Sequence, residues 1–128
     1  MTTALPKPYT VLLVDDDIHN QRIFDTILRH NGFTVRMAAS GDEALREARE
    51  HLPDLILMDL HMPSVDGIEG LRRLKADERT ASIPVIMLTT ETDFLKRSQC
   101  RALGCVEFLN KPIGKEALGS AIRRWLVK

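Results

Sequence analysis

The sequence predicts an α/β fold built on a doubly wound parallel sheet, and three observations lead to that prediction. Apolar runs of four or five residues recur about every 20 to 25 residues, and a segment with helical spacing follows each run. The runs at 55–58 and 85–88 are apolar without alternation, as strands buried on both faces of a parallel sheet must be. The connections are short, so right-handed crossovers would place helices on both faces of the sheet.

Five strands and five helices follow from these patterns. The strands are predicted at 10–14, 34–38, 55–58, 84–88 and 106–109, and the helices at 18–30, 41–51, 65–77, 91–103 and 115–127. The leading topology is a flavodoxin-like (βα)5 sandwich with a parallel five-stranded sheet in the order 2-1-3-4-5. In such sheets a ligand binds beyond the carboxyl ends of the strands, between the first strand and the third.

Helix boundaries are marked by residues that favour helix ends. Ser40 with Glu43 three residues later forms a capping box before the second helix, and Pro53 ends that helix. Gly32 and Gly104 supply left-handed conformations after the first and fourth helices. Apolar stripes at three- and four-residue spacing should face the sheet, and they comprise Ile23, Ile27 and Leu28 in the first helix and Leu118, Ala121, Ile122 and Trp125 in the fifth.

Length and composition predict one globular domain. A chain of 128 residues, 44% hydrophobic and 28% charged, has room for one core, so residues 1–128 are expected to form one domain with residues 1–8 as a short lead. Eighteen basic residues balance 18 acidic ones, and bulk charge therefore favours neither a nucleic-acid nor a membrane partner. No apolar stretch approaches the length of a membrane span, and the start lacks a secretory signal. A cytoplasmic protein is expected.

Some residues carry weaker signals. Cys100 and Cys105 do not form a zinc framework, which needs about four ligands in tight pairs. They are expected to be small buried hydrophobic residues, although a redox role for a thiol near a helix end stays open. The basic pairs at 72–73 and 123–124 are expected to belong to solvated helix faces rather than to a nucleic-acid site.

Polar residues follow four of the five predicted strands and should converge on one edge of the sheet. They are Asp15, Asp16 and Asp17 after the first strand, Asp59 after the third, Thr89 and Thr90 after the fourth, and Asn110, Lys111 and Pro112 after the fifth. Two carboxylates about 4 Å apart repel by roughly 4 kcal/mol at an effective dielectric constant of about 20. Lys111 offsets part of this charge, and a divalent cation would offset the rest. Carboxylates with waters and a backbone carbonyl suit Mg²⁺.

These residues also suit phosphoryl transfer. Aspartate is an established nucleophile in forming aspartyl phosphates, and the metal, Lys111 and Thr89 would neutralise or hydrogen-bond the transferring group. Each residue alone has a structural alternative, namely capping of the first helix for 15–17, a solvated turn for Lys111 and an ordinary strand-end hydroxyl for Thr89. Their joint position at the ends of four strands favours the functional interpretation.

The same residues resemble the response-regulator receiver family over about residues 9–127. The matching motifs are VLLVDDD ending at Asp17, DLHMP beginning at Asp59, Asp66-Gly67, PVIMLT ending at Thr89, and Lys111-Pro112. The resemblance implies a phosphoacceptor at Asp59, a phosphoryl-contacting pair at Thr89 and Lys111, and a cis peptide between Lys111 and Pro112. The implied Mg²⁺ ligands are Asp16, Asp59 and the backbone carbonyl of His61, with Asp15 acting indirectly or through a water.

By the same resemblance the chain accepts a phosphoryl group from a sensor histidine kinase or a histidine phosphotransfer protein. It is implied to be a signalling domain rather than an enzyme, one that promotes its own phosphorylation and dephosphorylation. Thr89 and Phe108 would form the switch, the fourth helix, fifth strand and fifth helix the output face, and the first helix would face the donor. The output is expected to be a downstream protein or a linked domain, without a membrane or direct nucleic-acid binding, and homodimer formation is left open.

Four positions add to this pattern or depart from it. Phe108 stands where a tyrosine is most familiar, so it lacks the hydroxyl, and its alternative is a strand residue half in the core. Thr90 replaces a small residue and would narrow access to the phosphoryl group. His61 and Glu91 would flank the attacking water, which would make hydrolysis depend on pH near neutrality; the alternative is that His61 contributes only its carbonyl.

Three competing interpretations fit the residues less well. A phosphatase with an aspartate nucleophile matches the spacing of Asp15 to Asp17, but the chain lacks the following threonine or serine and a cap domain. A flavin-binding domain would need hydroxyls and backbone amides where this chain has three aspartates. A pseudo-receiver scaffold is disfavoured because every chemical residue is present.

Overall fold

The computed structural model describes residues 8–60, 67–90 and 94–126. Strands and helices alternate throughout these residues, and all ten have the predicted type. They are β1 (Thr10–Val14), α1 (Ile18–His30), β2 (Thr34–Ala38), α2 (Gly41–His51), β3 (Leu55–Asp59), α3 (Gly67–Ala76), β4 (Val85–Thr89), α4 (Phe94–Leu103), β5 (Glu107–Asn110) and α5 (Lys115–Leu126). The predicted starts of the third and fourth helices and the last residue of the fifth lie outside the described residues.

The five strands form one parallel sheet in the order β2-β1-β3-β4-β5, which confirms the predicted topology. Val14 at the end of β1 lies beside Met58 of β3, and Thr89 at the end of β4 lies beside Asn110 of β5. The strands therefore end at nearly the same level. Residues that follow β1, β3, β4 and β5 meet at one edge of the sheet.

Helices cover both faces of the sheet and divide the core in two. Leu12 and Val14 belong to the core beneath α2, α3 and α4, whereas Val11 and Leu13 belong to the core beneath α1 and α5. Every residue of β3 and β4 is buried. This two-sided burial explains their apolar runs without alternation, and each large side chain there contributes about 1.5 to 3 kcal/mol.

Strand boundaries differ from the prediction by one residue. β3 includes Asp59, β4 begins at Val85 rather than Pro84 and ends at Thr89 rather than Leu88, and β5 begins and ends one residue later than predicted. Pro84 has no amide hydrogen to donate to the ladder, which removes it from β4. Its carbonyl still accepts a hydrogen bond from Ile56 at 2.9 Å.

Three predicted signals for helix ends are confirmed, namely the N-cap at Ser40 and the left-handed glycines at Gly32 and Gly104. Ser40 is the N-cap of α2, and its hydroxyl accepts a hydrogen bond from the amide of Glu43 at 3.1 Å. Gly32 and Gly104 have φ of 90° and 109°. α2 ends at the predicted position, and Leu52, the residue before the proline, takes a left-handed φ of 45°.

α3 ends one residue earlier than predicted, at Ala76. The side chain of Asp77 accepts a hydrogen bond from the amide of Arg79 at 2.8 Å and starts a turn. Thr80 is fully buried after that turn, and its hydroxyl donates to the carbonyl of Leu74 at 2.5 Å. The turn thus satisfies a carbonyl that the end of the helix leaves open.

The predicted apolar stripe of α1 is wrong at Ile23. Ile23 is 56% exposed, and α1 buries Phe24 and Leu28 against the sheet instead, with Ile27 partly buried. Neighbouring helix residues point about 100° apart, and the rotation that turns Phe24 toward the sheet leaves Ile23 facing solvent. The stripe of α5 is confirmed, with burial of Leu118, Ala121 and Ile122 and packing of Trp125 against the same core.

Cys100 and Cys105 are both buried in the core beneath α4, as expected for small hydrophobic residues. Burial raises the pKa of the Cys105 thiol to about 11, so this thiol is protonated at neutral pH. Of the described helices, none is long and apolar enough to span a membrane.

Candidate functional site

Three carboxylates meet at the carboxyl edge of the sheet. Carboxylate oxygens of Asp15, Asp16 and Asp59 all lie within 4.8 Å of one another. Asp15 is fully buried, Asp59 is 5% exposed and Asp16 is exposed. The acidic residues predicted at the ends of β1 and β3 therefore form one cluster that is open to solvent on the side of Asp16.

The loop after β1 separates the roles of its three aspartates. Asp17 is the N-cap of α1 and accepts hydrogen bonds from the amides of His19 and Asn20 at 2.8 and 3.4 Å. Asp15 accepts a hydrogen bond from the amide of Asp17 at 2.9 Å, and its own carbonyl accepts one from Gln21 at 2.6 Å. The capping alternative therefore holds for Asp17, whereas Asp15 is held with its carboxylate toward Asp59.

Lys111 supplies the positive charge of the cluster. Its Nζ lies 3.3 Å from Asp59 Oδ2 and 3.9 Å from Asp15 Oδ2. Its amide donates to the carbonyl of Thr89 at 2.9 Å, and the peptide that joins it to Pro112 is cis, as the resemblance implied. The solvated-turn alternative for Lys111 is wrong, because the side chain is largely buried and faces the carboxylates.

The cluster carries more negative charge than Lys111 can balance. Burial, with added repulsion from Asp59 and Asp16, raises the pKa of Asp15, although the hydrogen bond from Asp17 and the charge of Lys111 oppose that rise. Asp15 Oδ2 is buried and accepts no hydrogen bond from the described residues. A set of hard oxygen donors with an orphaned buried oxygen fits a divalent cation such as Mg²⁺.

Thr89 ends β4 and is fully buried beside the cluster, while Thr90 after it is exposed. The register of β4 and β5 places Thr89 directly beside Asn110, which is the residue before Lys111. The structure thus brings Asp15, Asp16, Asp59, Thr89 and Lys111 to one edge of the sheet. His61 and Glu91, which were also predicted to belong to the site, lie outside the described residues.

Gly67 is a site residue whose structural role the sequence left unassigned. Its amide donates to the carbonyl of Leu60 at 3.0 Å. A Cβ at this position would lie 2.5 Å from the backbone oxygen of Asp59 and 2.7 Å from Leu60 Cα. The first turn of α3 therefore packs directly against the backbone of Asp59, which only glycine permits. The Asp66-Gly67 pair of the motif was the available signal.

Phe108 is half-buried and packs against the core beneath α4, in line with the structural alternative for this residue. The guanidinium carbons of Arg97 and Arg101 lie 5.4 and 5.5 Å from the centroid of its ring. These distances are typical of cation–π contacts. The spacing of the two arginines, four residues apart on α4, was the only signal for this arrangement.

Three of the four arginines in the basic pairs make surface ion pairs. Arg72 and Arg73 both pair with Glu69 of their own helix. Arg124 pairs with Glu107 of β5 at 2.7 Å. These contacts agree with the prediction of solvated helix faces.

The family model for the response regulator receiver domain matches residues 11–123. The chain belongs to this receiver family. The polar-differentiation response regulator DivK of Brucella ovis is 37% identical to it over 117 residues, which cover 91% of this chain and 95% of DivK. The DivK of Brucella anthropi is 35% identical over 119 residues, which cover 93% of this chain and 97% of that protein.

Solved receiver structures agree with this assignment. The chemotaxis protein CheY4 of Vibrio cholerae is 33% identical with a TM-score of 0.89, covering 94% of this chain and 100% of CheY4. The receiver domain of sensor histidine kinase PA1611 from Pseudomonas aeruginosa is 32% identical with a TM-score of 0.88, covering 95% of this chain and 100% of that domain. That domain was solved with a magnesium ion coordinated in its active-site cleft. The chain is thus a receiver domain of two-component signalling with a phosphoacceptor role, not a classical enzyme.

Proposed function

We propose that Asp59 is the phosphoacceptor and that it receives its phosphoryl group from a sensor histidine kinase or a histidine phosphotransfer protein. One observation carries this proposal. Asp59 ends β3 with the ammonium group of Lys111 at 3.3 Å and the carboxylates of Asp15 and Asp16 within 4.8 Å. Among the clustered carboxylates, Asp59 combines near-complete burial with the shortest distance to Lys111.

In this proposal Asp16, Asp59 and the backbone carbonyl of His61 hold Mg²⁺, and Asp15 contributes indirectly or through a water. When bound, Mg²⁺ supplies the positive charge that lets the carboxylates and an incoming phosphoryl group share one site. The burial of Asp15 Oδ2 without a hydrogen-bond donor among the described residues supports this assignment.

The chemical step joins Asp59 to phosphorus. A carboxylate oxygen of Asp59 attacks the phosphorus atom of the donor. The bond between phosphorus and the imidazole nitrogen of the donor breaks at the same time, and the nitrogen keeps the electron pair. Lys111 Nζ contacts a phosphoryl oxygen, and the hydroxyl of Thr89 donates to another. Hydrolysis by water reverses the modification, with His61 and Glu91 flanking the attacking water and Thr90 narrowing its access. In this sense the domain promotes its own phosphorylation and dephosphorylation.

An apolar groove beside Lys111 suits the docking of the donor. The groove has a volume of about 330 Å³, and Ile23 and Ile27 of α1, Pro112 and Ile113 line it together with Lys111. Ile23 is exposed because it lines this groove rather than facing the sheet, and a docked donor would cover it. A helix that presents its histidine to Asp59 would bury apolar side chains in this groove.

Phosphorylation adds close to two negative charges beside Thr89. A movement of Thr89 together with Phe108 would then alter the surface formed by α4, β5 and α5. The expected targets are a downstream protein or a linked domain in the cytoplasm. The receiver domain would comprise residues 1–128 with residues 1–8 as a lead.

Intact-mass spectrometry tests the phosphoacceptor proposal. The chain is incubated with acetyl phosphate with and without Mg²⁺, and Asp59→Asn is compared with Asp25→Asn, a surface substitution on α1. A phosphoryl adduct that requires Mg²⁺, is absent from Asp59→Asn and persists in Asp25→Asn supports the proposal. An adduct of unchanged yield on Asp59→Asn would contradict it.

A further inference from the structure

Gln21 makes a side-chain hydrogen bond beside the acidic cluster that the phosphoryl-transfer step does not use. Its Nε2 lies 2.6 Å from the backbone carbonyl oxygen of Asp15. A carbonyl oxygen can only accept, so the amide nitrogen of Gln21 must be the group that faces it. Asp15 is fully buried, and no other described residue donates to its carbonyl. Gln21 therefore satisfies a buried polar group directly next to the site.

This contact differs from ordinary capping at the start of a helix. Gln21 is the fourth residue of α1, and Asp17 is the N-cap. In a capping box a glutamine reaches back to the backbone amide of the N-cap residue. Gln21 instead reaches a carbonyl two residues before the N-cap. The hydrogen bond thus holds the loop after β1 rather than the end of the helix.

The carbonyl that Gln21 holds belongs to the peptide that joins Asp15 to Asp16. That peptide is planar, so a fixed carbonyl direction also limits where the Cα atom of Asp16 can lie. The other polar groups of Asp15 are held as well. Its amide donates to the carbonyl of Ala38 at 3.0 Å, and its Oδ1 accepts from the amide of Asp17 at 2.9 Å. Hydrogen bonds therefore fix the path of the chain into Asp16.

Asp16 depends on this backbone for its place in the cluster. Its side chain is exposed, and none of the described residues hydrogen-bonds its carboxylate or forms an ion pair with it. One of its oxygens nevertheless lies within 4.8 Å of oxygens from Asp15 and Asp59. The backbone position of Asp16 thus decides how closely its carboxylate approaches the other two.

We propose that Gln21 is a positioning residue for the metal site, and that it holds the Asp15–Asp16 peptide so that Asp16 presents its carboxylate to Mg²⁺. This inference rests on the proposed role of Asp16 as a Mg²⁺ ligand. Mg²⁺ requires nearly ideal octahedral geometry with short metal–oxygen distances, whereas Ca²⁺ accepts flexible geometries and more ligands. A hydrogen bond that fixes one ligand residue therefore favours the smaller ion. Gln21 contributes to the selectivity of the site as well as to its affinity.

The neutral amide of Gln21 suits this position. When ionised, the three clustered carboxylates and Lys111 carry a net charge of minus two, which one divalent cation neutralises. A lysine or arginine in place of Gln21 could donate the same hydrogen bond, but its charge would repel the cation. A carboxylate there could not donate at all. Gln21 fixes the backbone and leaves the charge of the site unchanged.

Titration of the unphosphorylated full chain with Mg²⁺ and with Ca²⁺ tests this proposal without a measurement of phosphoryl transfer. Binding is followed by the amide chemical shifts of the chain. Gln21→Met removes the donor and keeps a side chain of similar length. It is expected to weaken Mg²⁺ binding about tenfold, as is typical when a partner that orients a metal ligand is lost. Ca²⁺ binding should weaken less than about threefold, so the ratio of the two affinities should change.

Two further variants separate positioning from general destabilisation. Thr80→Val also removes a side-chain donor from a buried carbonyl, that of Leu74, but Thr80 precedes β4 and so lies at the opposite edge of the sheet from the cluster. It should lower the midpoint of urea unfolding and change the Mg²⁺ affinity less than about twofold. Gln21→Asn keeps an amide but shortens the side chain by one methylene, which takes the amide out of reach of the carbonyl. It should weaken Mg²⁺ binding in the same direction as Gln21→Met, and each titration is run at a temperature where the variant is folded.

Several results would overturn the proposal for Gln21. They are an unchanged Mg²⁺ affinity in both Gln21 variants, equal weakening of Mg²⁺ and Ca²⁺ binding, and an equal loss of Mg²⁺ affinity in Thr80→Val. Asp16→Asn distinguishes this failure from failure of the proposed function. If Asp16→Asn binds Mg²⁺ as tightly as the native chain, Asp16 is not a ligand and both assignments fail. If Asp16→Asn weakens Mg²⁺ binding and the Gln21 variants do not, only the inference about Gln21 fails. Failure of Asp59 to accept a phosphoryl group, with the metal affinities as expected, would refute only the phosphoacceptor proposal.

Discussion

Replacement of Gly67 by alanine should displace the backbone of Asp59. The new Cβ would lie 2.5 Å from the carbonyl oxygen of Asp59, whereas ordinary van der Waals contact begins at 3.4 Å. The first turn of α3 and the end of β3 must therefore separate by about 0.9 Å. Both neighbouring atoms belong to backbone, so no side chain can rotate to absorb the movement.

The displacement should reduce both the phosphorylation rate and the stability of the fold. Lys111 Nζ lies 3.3 Å from Asp59 Oδ2, and a misplacement of about 1 Å in a reacting group can cost about 100-fold in rate. We expect Gly67→Ala to be phosphorylated by acetyl phosphate with Mg²⁺ roughly 10- to 100-fold more slowly than the native chain. Overpacking of this kind typically lowers the free energy of unfolding by about 1 to 3 kcal/mol.

Gly70→Ala provides a matched control on the same helix. Its Cβ would lie 3.3 Å from the Sδ and Cε atoms of Met58, and a flexible thioether can move away from it. Alanine also favours a helix interior over glycine by up to about 1 kcal/mol, so this variant should stay as stable as the native chain. Adduct formation is timed by intact mass at a temperature where every variant is folded. A Gly67→Ala rate within twofold of the native rate, or an equally slow Gly70→Ala, would refute the packing argument.

Three further substitutions test other parts of the structure. Ile23→Asp should slow transfer from a phosphorylated histidine phosphotransfer protein about tenfold while leaving acetyl phosphate phosphorylation unchanged. Leu52→Asp is the control, because Leu52 is similarly exposed, at 52%, but follows α2, and this change should leave both rates unchanged. Thr80→Val should lower the free energy of unfolding in urea by about 1 to 3 kcal/mol, because the Leu74 carbonyl loses its buried donor; an unchanged midpoint would contradict this. Burial raises the pKa of Cys105 from 9.0 to about 11, so the folded state retains a proton that the unfolded state loses, and stability should fall as pH rises through this window. Relative to Cys105→Ala, the native chain should lose about 2 to 3 kcal/mol of unfolding free energy between pH 8 and pH 11, and parallel curves would contradict the shift.

The elements and their order could be predicted because their signals are local or topological. Ser40 and Gly32 mark helix ends through the conformation of a few neighbouring residues, and the structure agrees at both. The unbroken apolar runs of β3 and β4 require burial on both faces, which places them inside the sheet rather than at its edge. Short right-handed crossovers then leave few strand orders to choose from. The site residues at the strand ends follow from the same topology.

Only the tertiary structure decided the geometry that these residues share. The distance from Lys111 to Asp59 depends on the register of three neighbouring strands, and no local stretch of sequence contains that information. Phe24 rather than Ile23 faces the sheet because the rotation of α1 is set by packing, whereas both residues fit an apolar helical pattern. The contact between Gly67 and the Asp59 backbone likewise arises where two separate elements meet. Sequence patterns determine which elements form, whereas distances between them depend on how the whole core packs.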